Sequence, residues 1–200
     1  FWPQPILQLM MEENELWKRQ GMVIFLSIIR GEAPIGYLKN WDREDWIRAI
    51  NENMLTSIEM IKAVIDSMVS KKFGRIVNIT SGSVKSPIPE LGLSNGACSG
   101  LTGFVAGIVG EYAQYKVIIN NLLPGKFNTA SIEAFIEKGA KENAIASQEL
   151  RAKLEEENPS KRVGEIGEFG IACACTCSTH SGYLVGQNIL MDGGRFDTTF

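Results

Sequence analysis

Histidine is almost missing from this chain: one residue, His180, in 200. A cysteine or serine hydrolase needs a base beside its nucleophile, and nothing in the sequence brings His180 to one. Cysteine is scarce too, with four residues. Phe1-Trp2-Pro3 opens the chain without a basic stretch, which does not read as a secretory leader. The expectation is free thiols in a reducing, cytoplasmic setting. Net charge is only −3, too little for a long-range field that gathers nucleic acid, and no basic patch is interleaved with aromatics. Long apolar runs are missing as well. The longest, residues 22–29, is strand length rather than the ~18 residues of a membrane span. Neither nucleic acid nor a membrane is an expected partner.

What is present is the balance of one globular domain, 44% hydrophobic and 22% charged, long enough to bury a core. Residues 1–21 hold Pro3 and Pro5 and then a possible helix over 6–19, stopped at Gly21. The run 22–29 is apolar throughout, as expected of a strand buried on both faces in a parallel sheet. Asp42 is placed to cap a long helix over 43–70, along which Trp46, Ile47, Ile50, Met54, Ile58, Ile61 and Val64 recur at helical spacing. A second apolar strand covers 75–80. A Ser/Gly/Pro loop over 81–92 leads to a helix over 94–115 whose Ala97, Gly100, Gly103, Ala106, Gly107 and Gly110 permit close packing. A third strand, 117–123, stops at Pro124-Gly125. Residues 129–160 are polar and helical, 164–177 form another helix, and 183–191 a last strand ended by Asp192-Gly-Gly194. Strands alternating with helices predict an α/β fold with a parallel sheet and right-handed crossovers.

Three phrases in this order resemble a known family: Gly74-Arg-Ile-Val-Asn-Ile-Thr-Ser81, Asn120-Asn-Leu-Leu-Pro-Gly125, and Gly182-Tyr-Leu-Val-Gly-Gln187 with Asp192-Gly-Gly194. Together they resemble the short-chain dehydrogenase/reductases, most of all the 3-oxoacyl-(acyl-carrier-protein) reductase type, over about residues 22–194. The resemblance implies a partial Rossmann-like, doubly wound parallel sheet. Residues 22–28, 75–80, 117–122 and 188–191 would be the family's strands four to seven. Strands one to three, with their glycine-rich phosphate loop, have no counterpart, so the chain divides into a non-matching segment, 1–21, and a truncated domain, 22–200.

The family reduces carbonyls with NAD(P), using Ser, Tyr and Lys with an Asn on the preceding helix. By resemblance Ser81 takes the place of the Ser and Asn53 that of the Asn. The Tyr and Lys positions fall on Ser94 and Cys98. A serine hydroxyl is a far poorer acid than a phenol of pKa ~10, and a cysteine supplies no cation. Tyr112 and Tyr115 lie on the same helix but roughly 27–32 Å beyond Ser94. Pro124, Gly125 and Thr129 match the loop that touches the nicotinamide amide in the family; a turn with Thr129 capping the next helix is the plainer reading. At the end of the first strand the family's Asn-Asn-Ala-Gly is replaced by Ile28-Ile29-Arg30-Gly31. Cys173, Cys175 and Cys177 with His180 invite a metal reading, but paired Cys-x-x-Cys knuckles are lacking, and no metal is expected.

Two functional classes follow. One is a catalytically impaired homologue acting as an oligomeric or small-molecule-binding protein. The other is an active NAD(P)-dependent reductase of an oxoacyl or other carbonyl substrate. The resemblance also implies a homo-oligomer, dimer or tetramer, paired through helices 43–70 and 94–115, with residues 1–21 expected to cover the open edge of the first strand.

Overall fold

A computed structural model describes residues 24–28 and 34–197. Four parallel strands form one sheet: β1 (Ile24–Ile28), β2 (Gly74–Ile79), β3 (Val117–Pro124) and β4 (Asn188–Met191), adjacent in that order. Parallel neighbours need crossovers, and helices supply them. All of β2 and all of β3 except Pro124 is buried, which explains their mostly apolar reading.

Between β1 and β2 run α1 (Arg43–Ile50), a π turn (Asn51–Leu55) and α2 (Thr56–Lys71). The Asp42 carboxylate accepts the Asp45 N–H at 2.9 Å, as its capping position predicts. The single regular helix expected over 43–70 is therefore interrupted. Its buried positions Ala49, Asn53, Ser57, Ile61 and Ile65 recur every four residues. In a strict α-helix of 3.6 residues per turn such a line drifts by roughly 40° at each step. The wider π turn absorbs part of that drift and keeps Asn53 on the inward line.

Helix α3 (Gly92–Ala113) follows β2 and lies against α1 and the π turn. Glycine makes the approach possible: a Cβ on Gly96 would sit 2.9 Å from the Trp46 ring, and one on Gly100 would sit 2.8 Å from Met54 Sδ. Ile61, Ile65 and Met68 of α2 meet Leu101 and Val105 of α3 over Ile76, Val117 and Ile119 of the sheet. Helix α3 is long and apolar enough to cross a membrane by length and composition alone, yet Leu93, Leu101 and Val105 on it are wholly buried inside this core.

The polar stretch after β3 forms two helices, α4 (Ala130–Glu142) and α5 (Ser147–Glu157). They are separated at Ala144, which takes a left-handed φ of 52°. Helix α6 (Ile166–Cys177) starts later than expected because Gly164 is occupied in a bridge to Phe127. Its Phe169, Cys173 and Cys177 cover the opposite sheet face with Val77, Ile79 and Leu122, so helices flank both sides. The last strand is shorter than the 183–191 expected. Gly186, at φ 69°, turns the chain and donates its N–H to the Ile119 carbonyl at 2.9 Å, and Tyr183 stands fully exposed. The helix expected over 6–19, the edge-covering role given to 1–21, and the altered 29–31 segment lie outside the described residues.

Arg75 holds the amino end of the sheet. It is 3% exposed and donates to the carbonyls of Ser178 (3.0 Å), Gly74 (2.9 Å) and Lys116 (3.1 Å), with its guanidinium 4.5 Å from the Phe73 ring centre. Burial pulls its pKa down from the usual arginine value. The Ser178 carbonyl lies just past the C-terminus of α6, where positive charge is favoured. Arg75→Leu should cost about 2–3 kcal/mol, because it strands buried carbonyls. A urea unfolding midpoint indistinguishable from that of the parent would contradict this role.

Candidate functional site

The carboxyl ends of the strands carry the residues of interest, as expected in an open α/β sheet. Ser81 leaves β2 and caps a short turn, Gly82–Val84. Its Oγ lies 2.9 Å from Ser83 Oγ and accepts the Ser83 N–H at 3.1 Å. Ser83 is buried and Ser81 half-buried, so one hydroxyl of the pair is presented and the other backs it. The turn presses on β3: a Cβ at Gly82 would meet the Pro124 carbonyl oxygen at 3.1 Å.

Asn53 sits in the π turn, 1% exposed, and neither its amide oxygen nor its amide nitrogen has a hydrogen-bond partner among the described residues. Two unmet polar atoms at one buried position cost stability unless something satisfies them. Helix α3 packs on both the π turn and the 82–84 turn, so the segments that carry Asn53 and Ser81 both border the helix that carries Ser94.

Ser94 and Cys98 lie one turn apart on α3, with Ser94 Oγ 3.5 Å from Cys98 Sγ. Cys98 is 1% exposed. Burial pushes its thiol pKa up, partly opposed by the Ser94 hydroxyl, so it is a neutral group at pH 7. Between them, Asn95 donates to the Ile88 carbonyl at 2.8 Å and ties the loop before α3 to its first turn. Gly125 donates to the Met191 carbonyl at 2.8 Å, and a Cβ there would be 2.8 Å from Asp192 Cα. Pro124-Gly125 is thus a tight crossing of two strand ends. Thr129 Oγ1 accepts the Ile132 N–H at 3.4 Å and caps α4, so its hydroxyl has a structural partner. Cys173 and Cys177 are buried while Cys175 is exposed; the three thiols do not converge, and His180 is exposed on the turn beyond them.

A family model described as enoyl-(acyl carrier protein) reductase matches residues 30–195. The chain belongs to the short-chain dehydrogenase/reductase family. It is 28% identical over 171 residues to the NADPH-dependent reductase BacG of Bacillus subtilis, covering 86% of this chain and 66% of that protein. It is also 28% identical over 155 residues to the 3-oxoacyl-[acyl-carrier-protein] reductase of Haemophilus influenzae, covering 76% and 59%. Among solved structures, YwfH, an NADPH-dependent reductase of bacilysin biosynthesis, superposes with a TM-score of 0.80 at 24% identity over 92% of this chain and 71% of that one. The last likeness speaks for the fold alone. The chain spans about two thirds or less of the length of these two curated relatives.

Within this dehydrogenase/reductase fold, sequence reasoning named Ser81 and Asn53 but missed Ser83 as the hydroxyl behind Ser81. The Ser-x-Ser spacing was a usable signal, since a serine two residues on can close such a turn. It also missed the unmet amide of Asn53, which only packing reveals.

Two measurements test this geometry. In the native protein a thiol reagent should label Cys175 rapidly and Cys98, Cys173 and Cys177 slowly, with all four reacting after unfolding. Fast labelling of Cys98 would contradict its burial. Asn53→Leu keeps the number and branching of heavy atoms though it is bulkier, and should leave stability within about 1 kcal/mol, because removing two unmet polar atoms offsets the tighter fit. A loss of several kcal/mol in chemical denaturation would mean that the amide is satisfied in the folded state.

Proposed function

We propose that this dehydrogenase/reductase homologue binds a small carbonyl-type ligand and forms oligomers, without itself performing the family's reduction. The observation that carries the reading is the Ser94–Cys98 pair, 3.5 Å apart, at the positions that the family resemblance assigns to tyrosine and lysine. The family uses a dinucleotide for hydride transfer. Holding its ribose and relaying a proton there takes an acid near pKa ~10 and a fixed cation. An aliphatic hydroxyl bonded to a neutral, buried thiol supplies neither. These two residues do not fit that group.

What remains suits ligand recognition. Ser81 carries a half-buried hydroxyl backed by Ser83, and Asn53 holds an unmatched amide in the π turn that packs on the same helix. For association, the π turn and α2 expose Leu55 and Met60, and nothing lies within 4 Å of a Cβ on Gly103, Gly107 or Gly110 of α3. These open surfaces would pair about a two-fold, giving a dimer or tetramer.

The second reading is an active NAD(P)-dependent reductase of an oxoacyl or other carbonyl substrate. The reductase names of the relatives and the placement of Ser81 and Asn53 favour it. Titration of NADPH and NADH, followed by fluorescence, separates the two. The expected result is no saturable binding up to millimolar cofactor. Micromolar binding followed by turnover of an acetoacetyl thioester would overturn the proposal in favour of the active enzyme. The double substitution Ser94→Tyr with Cys98→Lys should increase any weak cofactor affinity; no change in a folded variant would deny that these positions face the cofactor.

A further inference from the structure

We draw no further inference here: the strongest candidate, the surface patch of exposed apolar side chains (Ile35, Tyr37, Leu38 and Ile88) on the two segments bridged at Gly36 and Leu91, carries none, because nothing in the structure shows what covers it.

Discussion

A ladder of asparagine amides crosses the sheet. Asn78 donates to Asn121 at 3.0 Å, and Asn121 donates to Asn188 at 2.7 Å. These residues are opposite one another in register on β2, β3 and β4. Apolar side chains slide past one another at little cost, but a buried amide forced out of line loses its partner and its hydration together. The ladder therefore pins three strands to one alignment. Asn120 reinforces it on the opposite face, donating to the Leu184 carbonyl at 2.7 Å and accepting the Gln187 N–H at 2.8 Å. Everything at the carboxyl ends of these strands depends on that alignment: a slip of one residue would exchange the faces and separate Ser81, Lys126 and Asp192.

The second constraint is the closeness of α1 and α3. Glycines under Trp46 and Met54 let the two helices approach, and the π turn then carries Asn53 into the seam with both polar atoms unmet. A chain optimised for stability alone would place an aliphatic residue there. An unmatched amide in a packed seam is the kind of local conflict that functional sites show.

The family connection explains the fold and leaves the chemistry to the site. Ser81 keeps a half-buried hydroxyl at the end of β2, backed by Ser83. Ser94 and Cys98, in contrast, spend their hydrogen bonding on each other. Thr129, matched by resemblance to a nicotinamide contact, caps α4.

Much of the architecture was legible in the residues themselves. The mostly apolar stretches 75–80 and 117–123 were legible as strands, and the structure buries them as a parallel sheet covered on both faces does. Asp42 and Thr129 announced helix starts through a side-chain oxygen that reaches a free N–H. Ser81, Asn53, Ser94 and Cys98 could be named only through the family resemblance, whose phrases set where its site residues fall. The π turn, the break at Ala144 and the short β4 were not legible. They arise from contacts between residues distant in sequence: Asn53 facing α3, and Gly186 bonded to Ile119. Nor could the sequence reveal that Asn53 is unpartnered among the described residues. Local pattern determined the elements and their order, because periodicity and capping act over a turn or two. Only the tertiary structure decided which polar groups are left unmet, because burial depends on what the packed neighbours supply.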